Sequence, residues 1–447
     1  MAQVKKHIKK ILSAVVIISV AAGVYIYINR CKLDGTQVCY DKKMEVFKIE
    51  EEAKLNIQVE NEALGEYLVN TWNTIHQDHQ DKVTYTVKAP LNLTQLADDF
   101  ETDVIVTSLN NAAYVLNDVH DLGKDVEKVI LTKSSSALEN AINSNGEYFI
   151  PNSVSGWTFV YNKTLAEKMD LDLSDENKNG LPDVFETWEN LFELSDEILK
   201  ELDIVFPLSF KDQYSFYPFL TSGKWHLNFT NIGNDAGFSQ PEFLRGLEFI
   251  EYLSNQKLLK DELPADKLKW QYNTAFFNEE TLFSIVTDWM NFEYYQDKTE
   301  SEYVIAPLPS FQSNTLRPKG SVDGYLVSKS SKYPSAATEA LRILRTKEAF
   351  KHYESGSDKV FVYHRNFIHE LEGDTQTIQK IRALNYIDPD PVMVLEDAPS
   401  VLSRSFLYEV DFMQPLKDLY DKKISKEEAQ TQIDTLYKSW VKEKVGE

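Results

Sequence analysis

Residues 175–186, DENKNGLPDVFE, come nearest to a defined chemistry. Set against a twelve-residue EF-hand loop, the stretch places oxygen-bearing side chains at positions one, three, five, nine and twelve: Asp175, Asn177, Asn179, Asp183 and Glu186. Leu181 stands at position seven, where the pattern uses a backbone carbonyl, and Gly180 at the turn that needs a positive φ. A hard cation takes six to eight oxygens, so the expected cofactor is calcium. Its expected role is structural, because three carboxylates in one turn repel each other until a cation neutralises them. Pro182 replaces the apolar residue through which paired loops join strands, so the loop should stand alone. The other reading is a solvated acidic turn; six matches in twelve residues favour the ion.

A second stretch, 149–163, reads FIPNSVSGWTFVYNK. Pro151 ends one element, Asn152 to Gly156 reads as a bend, and 157–161 is dense in aromatic and β-branched residues, as a strand is. Thr164 is the expected N-cap of the next helix, with Glu167 closing a capping box. The elements before it must position it. Residues 53–60 alternate like a strand, and Leu64, Leu68, Trp72 and Ile75 share a helical face. Residues 83–87 form a second strand, 93–100 a short helix capped by Asn92, and 103–107 a third strand. This β-α-β-α-β order with short loops predicts a parallel, doubly wound sheet. Ligands of such sheets sit beyond the carboxyl ends of the strands, which singles out Asn61, Asn110 and Asn111.

Composition narrows the function. The 447 residues suffice for two domains, and 43% hydrophobic with 12% aromatic residues supports sizeable cores. The first ten residues hold four lysines and no acid, so a net charge of −23 leaves −27 on 11–447. Phosphate binding needs a basic face, and nucleic acid is not expected as a partner. There is no Gly-x-Ser-x-Gly elbow, no phosphate-cradling glycine loop and no His-Glu-x-x-His, so no enzyme activity is expected. A two-carboxylate glycosidase leaves no such motif, and an extracytoplasmic carbohydrate-active enzyme is the rival reading. His76 and His79 at a helix end read as a solvated polar face.

Residues 11–28 are an unbroken apolar run, at about 1.5 Å each just enough to span a bilayer. The lysines before it place the N-terminus inside and the body outside. The run is either a retained signal anchor or a signal peptide cut after Ala22. The only cysteines, Cys31 and Cys39, follow directly, and a short disulfide loop suits an outside location.

Downstream, 184–198 is helical, 204–208 reads as a strand, and 243–253 as an amphipathic helix. The 149–163 stretch, with its aromatic-x-Pro opening and Tyr161-Asn162-Lys163 close, resembles the segment crossing between lobes in extracellular solute-binding proteins of carbohydrate-type ABC importers. The segment AFFNEETLFSIVTDW at 275–289, the strands at 303–309 and 320–328, the helix pair at 334–353 and the C-terminal helices, with a capping box at Ser425, resemble the same family in order. The likeness spans roughly 53–445. It implies an α/β, two-lobed periplasmic-binding-protein-like fold with interleaved lobes and a cleft between them, preceded by an N-terminal membrane segment. The implied division is 1–28 signal sequence or anchor, 29–52 stalk, 53–153 and 310–356 first lobe, and 154–309 and 357–447 second lobe. The crossings fall near 152–156, 306–310 and 355–359.

The implied function is capture of a sugar or oligosaccharide outside the cell and delivery to ABC permease subunits, by a monomer held on the outer face of the cytoplasmic membrane. A sensor ectodomain without an importer shares the fold. Cys31 matches the family's lipid-anchoring cysteine, although Ile28-Asn29-Arg30 departs from the small-residue signal that lipidation needs. Calcium loops also recur in the family, before the helix that begins here at Trp188. Trp157, Trp289 and Tyr325 stand where the family stacks sugars or meets their hydroxyls, with Tyr214 and Trp225 in support. Asn110, Asn111, Asn152, Ser155 and Asp288 are the polar candidates. Asn110-Asn111 and Ser155 replace charged contacts of maltodextrin-binding members, which argues against maltodextrin itself but not against sugars.

Overall fold

A computed structural model describes residues 31, 33–98, 102–130, 148–210, 213–227, 236–260, 272–354, 360–361, 373, 375–384, 388–389, 394–395, 398–399 and 409–445. The apolar run at 11–28 and the crossing at 355–359 lie outside the described residues. Among those described, no helix is long and apolar enough to cross a membrane.

The first three strands form as their alternation predicts: β1 Leu55–Val59, β2 Val83–Val87 and β3 Val104–Ser108, with β1 parallel to both others. Helix α1, Glu62–Ile75, buries Leu64, Leu68 and Trp72 on one face. Asn61 caps it, its side chain accepting from the Leu64 amide at 2.8 Å while its amide group donates to Tyr353 O at 3.2 Å. The sheet then departs from a purely parallel pattern. The long strand β4, Ile150–Asn162, runs through the expected bend without a break. Its first half pairs antiparallel with β7, Lys319–Val327, which also pairs antiparallel with β3. Its second half pairs with β5, Phe283–Thr287, and β6, Tyr303–Ala306.

Polar residues at 152–156 look like a turn, but two neighbouring strands satisfy their backbone groups, and one register shift absorbs the irregularity. Asn162, not Thr164, caps the next helix, accepting from Leu165 N at 2.9 Å; the Thr164 hydroxyl accepts from Glu302 N instead. Residues 204–208 form no strand, since Ile204 makes only single bridges to Leu259 and Thr281.

Two main cores result. The first packs Phe47 and the β1–β3 residues with Ile150, Val154, Tyr325 and helix α2, Pro334–Leu344. The second packs Phe159, Tyr161, Trp188, Phe206 and Phe249 with the C-terminal helix α3, Lys426–Val445, through Ile433 and Tyr437. A smaller cluster around Val160, Phe276 and Tyr303 covers the other face of β4. Val360, Phe361, Ile381 and Leu384 belong to the first core although they fall within 357–447. The capping box at Ser425 forms, with Glu428 accepting from Ser425 N at 2.8 Å.

The expected stalk is folded. Tyr40–Asp41 pairs antiparallel with Val46–Phe47, and Phe47 is buried in the first core. The Glu50 carboxylate caps α2, accepting from Ser335 N at 3.0 Å and Ala336 N at 2.9 Å. Glu339 accepts from Phe47 N at 2.8 Å. Charged residues read as solvated because the sequence does not show which helix end they meet. Cys31 and Cys39 are joined as a disulfide, so Cys31 has no thiol left for a lipid.

Candidate functional site

Strand β4 passes from one core to the other where its partner changes, between Gly156 and Trp157: Gly156 pairs with Gly320, and Trp157 with Thr287. A Cβ on Gly156 would stand 2.9 Å from Lys319 O, so only glycine lets the two strands approach this closely. Asp288 clamps the point. Its carboxylate accepts from Gly156 N at 2.8 Å, and its own N–H donates to Gly156 O at 3.0 Å. The clamp fixes the turn that carries Trp289, a residue 57% exposed beside the crossing.

Six of the expected site residues gather here. Trp157 is half-buried against the second core. Ser155 shares a 2.8 Å hydroxyl contact with Ser321 on β7, and Ser321 itself is exposed. Asn152 is buried and donates to Glu60 Oε2 at 2.6 Å. Tyr325 is fully buried; burial, then the Glu60 charge, push its phenol well above the usual range. Asp288 and Trp289 complete the group, with Asp288 spending its carboxylate on the backbone. Asn110 is buried one short step beyond β3, whose last residue, Ser108, lies opposite Asp323 on β7. Asn111 turns back, its side-chain amide donating to Leu91 O at 3.3 Å, while its backbone N–H donates to Ser108 Oγ at 3.2 Å.

Two expectations fall elsewhere. Trp225 is a core residue: it packs on Phe238 and Phe243, and its indole N–H is spent on Ala236 O at 3.0 Å. Tyr214 lies on the helix Gln213–Leu220, and its side chain is outside what is described. Sequence reading missed Glu60, Ser153, Lys319 and Asp323. Glu60 directly follows β1 and was within reach of the same carboxyl-end rule that singled out Asn61. Lys319, buried 4.6 Å over the Tyr217 ring, left no signal, because its partner lies 102 residues away in sequence.

The 175–186 loop is tied together by its own side chains. Asp175 accepts from Asn179 N at 3.1 Å and Gly180 N at 2.9 Å, and Gly180 takes φ +88°. Glu186 Oε1 accepts from Asn177 Nδ2 and from Asn179 Nδ2, the latter at 3.2 Å. Asp175, Asn177, Asn179 and Glu186 therefore converge, while Asp183 turns to Glu176 N at 3.3 Å. Among the described residues, no three of His, Cys, Asp and Glu come together as a metal group. The two asparagines meet Glu186 through their amide nitrogens, and their amide oxygens accept from the backbone of Asn179 and Leu181. Ser310 anchors the loop end, its N–H reaching Glu186 O at 2.9 Å.

Comparison with known proteins places this geometry. No curated protein matches the sequence. A crystal structure of a cyclo/maltodextrin-binding protein complexed with maltotetraose superposes with a TM-score of 0.61 at 17% identity, covering 86% of this chain and 96% of that one. At that identity the likeness speaks for the fold alone. The family model of bacterial extracellular solute-binding proteins matches residues 68–349, well over half of the chain and inclusive of the crossing, the Asp288 clamp and the 175–186 loop. The chain is thus a binding protein and not an enzyme, and it belongs to the bacterial extracellular solute-binding proteins.

Proposed function

We propose that the two cores are lobes that close on a sugar or oligosaccharide outside the cell, and that the loaded protein delivers it to the permease subunits of an ABC importer. The observation that carries this reading is the exposed Trp289 held by Asp288 beside the strand that joins the lobes. A flat, solvated ring with buried amides and hydroxyls nearby suits a ligand with C–H faces and hydroxyl edges. Ser321 and Ser155 supply hydroxyls on the same stretch, and Trp157 a second ring. Calorimetric titration with a panel of oligosaccharides tests it. At least one should bind without product release on prolonged incubation; a panel that gives no heat, or sustained turnover, overturns the reading.

Two further assignments belong to it. The 175–186 loop holds a structural calcium ion through Asp175, Asn177, Asn179, Glu186 and the Leu181 carbonyl, with Asp183 in support. The apolar run at 11–28 is retained as an anchor on the outer face of the cytoplasmic membrane. Size comparison of the cell-associated protein with the full chain checks the second point.

A further inference from the structure

The N-terminal hairpin differs in charge from the chain that follows it. Residues 29–48 hold five basic and three acidic residues. Taking that +2 and the +4 of the first ten residues from −23 leaves −29 on 49–447. Lys42, Lys43, Met44 and Glu45 form the tip between Tyr40–Asp41 and Val46–Phe47, and all four are exposed, Met44 by 71%. Asp41 is spent inside the turn, accepting from Lys43 N at 2.9 Å and Met44 N at 3.3 Å. Leu33, two residues past Cys31, is 43% exposed. Lys48 and Lys332 are exposed as well, and the Gly35 turn presses on Lys332: a Cβ on Gly35 would stand 2.6 Å from Lys332 O.

A short leash holds this surface. Residue 28 ends the apolar run, and Cys31 follows three peptide steps later, at most about 11 Å even if fully extended. The disulfide ties Cys31 to Cys39, which is buried and donates its N–H to Ser335 Oγ at 3.0 Å, at the start of α2. Phe47 fixes the other strand of the hairpin in the first core. With the disulfide open, the reach from residue 28 to Cys39 is eleven steps, up to about 40 Å. A bilayer's headgroup layer is only about 5–8 Å deep, so an anchor at 11–28 brings the bonded hairpin against it. The crossing stays clear: β7 starts there with Lys319 and ends five residues before Lys332, roughly 26 Å along the strand.

We propose that the disulfide-bonded hairpin is a membrane-docking surface for anionic phospholipid. Met44 and Leu33 enter the boundary of the headgroup layer, and Lys42, Lys43, Lys48 and Lys332 meet lipid phosphates. This rests on reading 11–28 as a retained anchor. A body of −29 is repelled by an anionic bilayer, and the stretch of reversed sign is the one that the leash delivers to it. The first core is then fastened against the membrane and does not hang on a free stalk, and the disulfide decides which.

The test uses the full chain in vesicles of phosphatidylglycerol and phosphatidylcholine. An NBD fluorophore is attached through a thioether to Met44→Cys or, as control, to Tyr294→Cys, an exposed position past the crossing; the native cysteines are joined and do not take the label. In vesicles, acrylamide should quench the label at 44 several-fold less than the label at 294. Each lysine near an anionic surface shifts binding roughly fivefold. Replacing Lys42, Lys43 and Lys332 by glutamine, or using phosphatidylcholine alone, should therefore raise quenching at 44 toward the control, and opening the disulfide with dithiothreitol should do the same. Protein that floats with the vesicles but is quenched equally at both positions overturns the docking surface and leaves the anchor standing. Protein that does not float sinks the anchor and the surface with it. Shielding that survives both neutral lipid and the lysine variant overturns the proposal, and shielding that grows with the protein-to-lipid ratio does so by marking a second copy as the occupant.

Discussion

The two ends of the first core bury the same kinds of polar group and treat them in opposite ways. At the far end, where the N-terminal hairpin meets α2, every buried acid is served. Glu50 takes two helix-start amides, and Glu339 takes Phe47 N, His76 Nε2 at 2.9 Å and a paired contact from Arg342 at 2.8 and 2.6 Å. At the crossing, Asn152, Ser153 and Tyr325 each keep an atom unpaired. Fully satisfied buried networks make a region rigid, whereas a rule broken locally marks a place that serves function at some cost in stability. The contrast assigns stability to the hairpin end and a local cost in stability to the crossing.

The largest effect expected is at the hairpin end. Glu339→Ala leaves Arg342 and His76 without their shared partner, and breaking a buried pair of this kind costs about 3–5 kcal/mol. Chemical denaturation should record that loss while solute affinity stays unchanged; an affinity change of similar size would erase the contrast between the ends. Acid should act through the same residue. Burial pushes the Glu339 carboxyl up, but the hydrogen bonds from Arg342 and His76 outweigh it and hold it below the ordinary 4.5. A carboxyl depressed in the folded state contributes stability that is complete above its unfolded value and is lost as pH falls through its folded one. The melting temperature should therefore drop as pH falls below 4.5, and Glu339→Gln should flatten that drop.

Two tryptophans sharpen the comparison, one inside the second core and one exposed beside the crossing. Trp188 is fully buried among Phe192, Phe206 and Phe219. Its replacement by alanine should cost about 3–5 kcal/mol of stability through the cavity left behind. Trp289→Ala should barely move the melting curve and cost on the order of 2–4 kcal/mol of affinity. If Trp289→Ala folds and binds as the parent does, or unfolds the protein instead, the ring is not part of the site.

Calcium comes next. A ligand at a hundredfold excess over its Kd stabilises the state it binds by about 2.7 kcal/mol. Chelation should lower the melting temperature, and Asp175→Ala with Glu186→Ala should abolish the response; a curve indifferent to chelator rejects the ion. The smallest effect expected is at Asn61, which sits beside Glu60 but spends its side chain on capping α1. Asn61→Ala should lose about 1 kcal/mol of stability and no affinity.

Much of the framework could be read from the sequence because it depends on local chemistry. The alternation before Glu60, the helical face through Leu64, Leu68 and Trp72, the capping box at Ser425 and the glycine turn at Gly180 are each decided by residues within one or two turns of chain. The aromatic-Pro-Trp spacing at 149–157 and the order of elements after it were enough to point to the family. Of the residues expected at the site, Asn152, Ser155 and Trp157 share one strand along the crossing, while Asp288 is a backbone clamp and Trp225 a core ring.

What the sequence could not carry is pairing across long separations. The residues at 152–156 look like a turn on their own and become strand only because Lys319–Val327 lies beside them and supplies hydrogen bonds to their backbone. The segment before Ala53 looks solvated until Ser335 and Glu339 meet it. Whether a polar side chain ends paired, like Glu339, or unpaired, like Tyr325, depends on partners hundreds of residues away. Local propensity sets which elements form; burial, and the partners it brings or withholds, is a property of the assembled sheet and was decided only there.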